Sequence, residues 1–336
     1  MTYMDAILDC ETYRRFGAEV EVNTPSGEIR KLGKNEAPEG AQYIAFLINK
    51  ITNQRVEVHG WHSTHNNNCW VVKPDSSCGI EICTPILKGW TGLKLLLNVI
   101  DTVHKHIGID SRCSLHLHIN VEDLDREEIG TILAWWIKCE PVFMDAMVEP
   151  RKCNRYCKPI GLCDLFQADI EYDPYFLVEN LADEKYFSVN TFHLAKEKRK
   201  TIEFRFMGHE GCINAFTAKN WIRLLLHFVE TATTNEYPAP YQEGNAWSSL
   251  CWLDPVDVYN FLGFNNPQYL SAGLKQVRNW FTYRLISNAR TYKLPGIWSP
   301  KGRRIALEQI EGLYKGESLP LSQNMHEELY SERYAI

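Results

Sequence analysis

Three separated stretches of the chain alternate apolar and polar residues with a period of two. In FGAEVEV (16–22), Phe16, Ala18, Val20 and Val22 share one phase, while Glu19 and Glu21 share the other. In SLHLHIN (114–120), Leu115, Leu117 and Ile119 alternate with His116, His118 and Asn120, and in TIEFRF (201–206), Ile202, Phe204 and Phe206 alternate with Thr201, Glu203 and Arg205. Successive side chains of a strand point to opposite faces, so each stretch predicts a strand with one core face and one polar face. Further strands are predicted over 41–51, 55–59, 69–73, 79–85 (ended by Pro85) and the alternating segment 185–192. Helical spacing follows in Leu93, Leu96, Leu97, Ile100, Val103 and Ile107, with Gly108 as a stop. A second helix is expected from a cap near Asp125 through Ile129, Ile132, Leu133, Trp136 and Ile137 toward Met147. A third is expected over 215–231, with Trp221, Leu224, Leu225 and Phe228 on one face.

Beyond these elements, 150–183 reads as irregular and 233–245 as a linker or lid. Segments 254–262 and 273–287 read as helical, and 302–336 as a charged surface extension. The expected organisation is a catalytic core over 1–232 and a mainly helical part over 246–336 that packs on or extends it. Because several strands are amphipathic, the expected class is α+β, a curved antiparallel sheet with helices packed on one face. A doubly wound parallel sheet would bury both faces. Neither a GxGxxG loop nor a Walker A loop is present.

The bulk numbers narrow the chemistry. The chain has 336 residues, 45% hydrophobic and 23% charged, with a formal net charge of −6. No global basic field for nucleic acid is present, and no apolar run reaches membrane-span length. The first residues lack an apolar core of signal-peptide length, and the 11 cysteines are an odd number. Together these favour reduced thiols in a cytoplasm. Cys153, Cys157 and Cys163 form the densest group, but their C-x3-C-x5-C spacing lacks paired zinc knuckles, so buried thiols are expected there.

The polar phases of the three strands carry the candidate chemistry. Each has a bland reading of its own: E-x-E as a solvated edge, H-x-H in a half-buried sheet, E-x-R as a structural ion pair. If the apolar phases share one core, the polar phases share one surface, which then gathers three carboxylates, two imidazoles and a guanidinium. A fourth piece, WVVKPDSSCGIEICTP (70–85), places Asp75 and Glu81 on either side of a Ser-Ser-Cys-Gly turn, and its bland reading is a hairpin with an Asx-type turn at Asp75. Clustered carboxylates suit Mg²⁺ or Mn²⁺, a cation that also cancels the repulsion between Glu19 and Glu21. Arginine suits a phosphate or a transferring phosphoryl group. The set points to metal-assisted phosphoryl transfer.

Read in order, FGAEVEV, WVVKPDSSCGIEICTP, CSLHLHIN, NRYC (154–157), KYFSVN (185–190) and TIEFRFMG resemble the amidoligase family of glutamine-synthetase-like carboxylate–amine ligases, related to the glutamate–cysteine ligases. The resemblance covers about 16–210 and weakens through the Trp221 helix; nothing after Thr233 matches. It implies a glutamine-synthetase-like catalytic fold that binds ATP with two or more Mg²⁺ or Mn²⁺ ions. It further implies an acyl phosphate made from a carboxylate substrate, and attack on it by an amine from an amino acid, peptide or protein. On the same basis Glu19, Glu21, Asp75, Glu81 and Glu203 are metal ligands, and His116 or His118 is a ligand or phosphate contact. Arg205, with Glu203, steadies the phosphoryl group. Arg155, Tyr156, Lys185 and Asn190 line the nucleotide or carboxylate site. Many relatives carry glycine where this chain has Ser114. Three alternatives stay open: a same-fold phosphotransferase of guanidino-kinase type, a zinc hydrolase built on His116 and His118, and a non-catalytic binding protein that keeps the fold.

Overall fold

Strand β1 (Arg15–Asn23) is the middle of a sheet that the rest of the chain builds outward. A computed structural model describes residues 14–24, 33, 35–61, 68–147, 155–160, 176–181, 185–235, 253 and 255–291. Among them the chain runs β1, α1 (Ala41–Thr52), β2 (Val56–Val58), β3 (Trp70–Asp75), β4 (Gly79–Cys83), β5 (Leu87–Lys88), α2 (Gly89–Val103), β6 (Leu115–Asn120), α3 (Arg126–Asp145), α4 (Phe176–Leu181), β7 (Val189–Asn190), α5 (Phe192–Ala195), β8 (Thr201–Phe204), α6 (Glu210–Ile213), α7 (Ala215–Thr234), α8 (Pro255–Phe261) and α9 (Ala272–Thr291). The sheet order is β2-β3-β4-β1-β6-β8-β7, with β5 pairing β1 off this path. The class is α+β, as the alternation predicts. Pairing is antiparallel at every step except β2 with β3, which run parallel, so the sheet is mixed rather than wholly antiparallel.

The predicted strand over 41–51 is instead helix α1. Ala41, Ile44, Ala45 and Ile48 are its buried residues, and that spacing is i, i+3, i+4, i+7. The segment 185–192 supplies only two residues to the sheet, Val189 and Asn190, with Phe187 in a separate bridge to Lys158, because Phe192 already begins a helical turn. The helix from Asp125 is present with a full capping box: the Asp125 carboxylate accepts from Glu128 N–H, and Glu128 reaches back to Asp125 N–H.

The apolar phase of the strands faces one continuous core with α1, α2, α3 and α7. Trp136 of α3 centres it, with Phe204, Phe206, Phe143 and Phe228 rings 5.0–5.4 Å away. Its indole N–H donates to Ser188 Oγ, and Ser188 in turn bonds the buried Glu140 carboxylate, which also accepts from Ile160 N–H. This network fastens the β7 edge to α3, and α9 packs on α7 and α3. No helix among the described residues is long and apolar enough to cross a membrane. Residues 236–245 of the expected linker, the extension 302–336, most of 150–183, and Cys153 and Cys163 lie outside the described residues; Cys157 is buried.

Candidate active site

Cross-strand register lines the polar phase up in three rows on one face of the sheet. Lys73, Glu81 and Glu21 stand opposite one another across β3, β4 and β1. Cys83, Glu19 and His116 do so across β4, β1 and β6. His118, Glu203 and Asn190 do so across β6, β8 and β7. The face was expected to be open, yet its side chains are enclosed. Glu21, Glu81, His116, His118 and Glu203 are each less than a tenth exposed. Charges at that depth persist only when paired.

The pairing is specific. His118 Nε2 lies 3.2 Å from Glu19 Oε1, and His116 Nδ1 lies 3.4 Å from Glu19 Oε2 and 3.6 Å from Glu203 Oε1. The Arg205 guanidinium donates to Glu203 Oε1, and Asn190 Nδ2 donates to Glu203 Oε2 at 2.7 Å. Lys73 Nζ sits 2.8 Å from Glu81 Oε1, which also accepts from Cys83 Sγ at 2.9 Å. Asp75 caps its hairpin turn, accepting from the Ser77 and Cys78 N–H groups at 2.7 and 3.2 Å. All five predicted carboxylates, both histidines, Arg205 and Asn190 thus belong to one constellation. Arg155 and Lys185 sit over the rings of Tyr156 and Tyr186 and form no ion pair with the clustered acids.

Burial and neighbours set the protonation. Burial raises Glu19, but the charge of His118 and the bonds to both imidazoles hold it well below the usual carboxylate range. Burial likewise raises Glu203, and Arg205 and His118 reverse the sign. Glu81 stays raised, by burial and then by the charge of Glu19. Burial, with Arg205 next, brings His116 down to about 4. Burial also disfavours the His118 imidazolium, yet Glu19 and Glu203 raise it.

Ser114 Oγ lies 2.7 Å from both Glu21 Oε2, to which its hydroxyl donates, and His116 Nε2. The other ring nitrogen, Nδ1, faces Glu19 Oε2 at 3.4 Å. Ligand atoms of Glu19, His118 and Glu203 lie within 4.8 Å of one another, as do those of Glu19, Glu81 and Cys83, and those of Glu21, Asp75 and Cys78. These oxygen-rich sets fit a divalent cation bound through carboxylates.

Four residues of the site were not singled out from the sequence. Lys73 shares parity with Asp75 two positions on, so its face was readable. Ser114 was noted only as a departure from glycine. Cys83 shares parity with Glu81. Arg199, 3.8 Å from Glu19, lies in a loop that carries no periodic signal. Beside Glu19 and His118 opens a cavity of about 290 Å³, with Arg199, Lys200 and Thr84 on its wall.

Comparison with known proteins adds the following. A family model described as "Putative amidoligase enzyme" matches residues 12–229. A search of curated proteins returned no match. Among solved structures, a bifunctional glutathione synthetase from Pasteurella multocida is similar at 10% identity and a TM-score of 0.41, over 92% of this chain and 50% of that one. The chain thus spans half that protein's length. A glutamate–cysteine ligase from Francisella tularensis, solved in complex with AMP, is similar at 9% identity and a TM-score of 0.36, over 90% of this chain and 82% of that one.

Proposed function

The chain belongs to the amidoligase family through residues 12–229, and from that premise we propose that it joins a carboxylate to an amine in an ATP-dependent reaction that passes through an acyl phosphate. The observation that carries this reading is the enclosed constellation of Glu19, Glu21, Asp75, Glu81, Glu203, His116, His118 and Arg205 on one sheet face. Glu19, Glu21, Asp75, Glu81 and Glu203 would hold two or more Mg²⁺ or Mn²⁺ ions, which supply charge neutralisation for the nucleotide phosphates.

The chain's own groups do the rest. A carboxylate is a poor electrophile, and phosphorylation gives it a leaving group. Charge builds on the transferring oxygens, and the planar fork of Arg205 faces that charge while Glu203 and Asn190 hold its orientation. His116, neutral at pH 7, offers an imidazole lone pair rather than a competing positive charge. Arg155, Tyr156 and Lys185 flank the nucleotide or carboxylate side. The cavity beside His118 gives room for a small substrate or the end of a peptide.

The test is an ATP-turnover screen over a matrix of carboxylates and amines, with mass spectrometry of the products. The expected product has the combined mass of acid and amine less one water, formed with ADP and phosphate. Glu203→Ala is expected to abolish turnover while circular dichroism stays native. Full turnover in that variant would remove Glu203 from the site. Phosphate transfer to an acceptor with no amide formed would favour the phosphotransferase.

A further inference from the structure

The cavity of about 290 Å³ lies at the Glu19–His118 end of the polar face. Its floor is bare, because Gly17 holds the polar-phase position of β1 opposite His118 and puts no side chain into the space. One wall is the link from β4 to β5, with Thr84, Pro85 and Ile86; another is the 197–201 loop, with Arg199. Thr84 and Arg199 both carry donors that the described residues leave unused. Thr84 is 4% exposed, and its Oγ1 accepts from Ala18 N–H at 2.9 Å. Its own hydroxyl proton has no acceptor among the described residues. The Arg199 side chain is 28% exposed, and its one ionic contact among the described residues is Glu19 at 3.8 Å, beyond hydrogen-bonding distance. Glu19 is itself engaged more closely by His118 at 3.2 Å and His116 at 3.4 Å.

We infer that this cavity is the subsite for a second carboxylate: the acid that the chain activates carries a further, unreacting carboxylate on a short aliphatic stem, and the Arg199 guanidinium with the Thr84 hydroxyl holds it.

Charge, shape and backbone agree with this assignment. A guanidinium suits a carboxylate bidentately, and a partly enclosed one gains more from the pair than one in open water. Arg15 is already paired with Glu122 at 2.6 Å, whereas Lys198 and Lys200 form no ion pair among the described residues; against them and Arg199 the wall sets Glu197. A cation taken up by Glu19 removes the one acid near Arg199 and leaves this end of the face positive, which an anionic group of the substrate offsets. Pro85 and Ile86 offer apolar surface to methylene groups, which favours a carboxylate on a stem over a nucleotide phosphate. The loop is fixed by its own backbone. Glu197 has φ +52° and its N–H donates to Leu194 O at 3.0 Å; the Lys198 and Arg199 N–H groups both donate to His193 O, at 2.9 and 3.2 Å; and Lys200 O accepts from Val121 N–H at 2.9 Å. Arg199 is thus anchored beside the cavity, which cuts the ordering cost of binding. The assignment deepens the ligase reading and rests on it for which carboxylate reacts, but binding of a diacid needs no turnover.

The test is calorimetric titration of the full chain in Mg²⁺ with succinate and glutarate, and with their monomethyl esters, which keep the stem and lose one charge. At least one diacid is expected to bind at one equivalent, about tenfold or more tighter than its ester. Arg199→Gln is expected to bring that diacid down to the affinity of its ester, and Arg199→Lys to recover only part of the difference. Thr84→Ser keeps the hydroxyl and is expected to bind the diacid as the wild type does. Mg–ADP is the second probe, and Arg199→Gln is expected to leave its affinity unchanged. Equal affinity of diacid and ester in the wild type, a difference that survives Arg199→Gln, or a loss of Mg–ADP affinity in that variant as large as the loss for the diacid, which would make the anion a phosphate, would each overturn the assignment. Discrimination through Arg199 in a chain that forms no amide in the screen would support the carboxylate subsite and fail the ligase reading.

Discussion

His116 and His118 stand two residues apart on β6, and their surroundings shift them in opposite directions. Burial and then Arg205 bring His116 to about 4, while at His118 the charges of Glu19 and Glu203 outweigh burial. The same contrast runs through the acids. Glu203 is held low by Arg205 and His118 against its burial, and Glu81 is raised by burial and Glu19 although Lys73 opposes the shift. Arg205 is the residue whose shape matters most, because a lysine in its place keeps the charge and loses the fork. Arg205→Lys is expected to cut ATP turnover by at least about tenfold, or about 1.4 kcal/mol of transition-state stabilisation, in steady-state assays. An unchanged rate would take Arg205 out of the transition state. At this scale the parity rule made Glu19, Glu21, His116, His118, Glu203 and Arg205 legible. Their depth was not legible, since alternation places a side chain on a face without saying whether water reaches it.

Elements were legible where the periodic run was long. Helix α3 declared itself through Asp125 and Glu128, and β1, β6 and β8 through strict alternation. Helix α1 was misread because AQYIAFLINKIT is apolar enough to pass for a buried strand; only its Ala41, Ile44, Ala45, Ile48 spacing separates the two. Strand β7 came out short because pairing needs a neighbour in register, which one sequence does not display. Helix α7 carries a pH response through His227, whose Nε2–H donates to Leu262 O at 2.8 Å and whose ring stacks on Phe264. Burial lowers its pKa below 6.5, although Leu262 and Glu230 pull the other way. A lowered folded value means the unfolded chain takes up the proton first. The stability contribution is therefore intact above 6.5 and lost as pH falls through the folded value. Thermal melts of the wild type and of His227→Gln, compared between about pH 7.5 and 5, are expected to converge as pH falls. A gap that stays constant would show that His227 does not titrate in this window.

At the scale of the whole molecule, α9 is fastened to the core by buried polar bonds. Arg284 pairs with Glu210 of α6 and donates to Ala146 O at 3.0 Å, and Asn288 Nδ2 bonds Asp145 O and Met147 O at the end of α3. Arg284→Ala leaves the Glu210 charge buried without its partner and is expected to cost about 3–5 kcal/mol in denaturant melts. Glu210→Gln with Arg284→Met is expected to recover much of that loss, and a double variant no more stable than the single one would contradict the pairing. None of this was visible in the pattern of the chain, because ion pairs across 74 residues leave no periodic trace. What the sheet does with its enclosed acids is the central matter. With a carboxylate substrate from the screen labelled in both carboxyl oxygens with heavy oxygen, the released phosphate can be weighed by mass spectrometry. An acyl phosphate requires one labelled oxygen in each phosphate released. Unlabelled phosphate, formed while ATP is consumed and amide accumulates, would contradict the account.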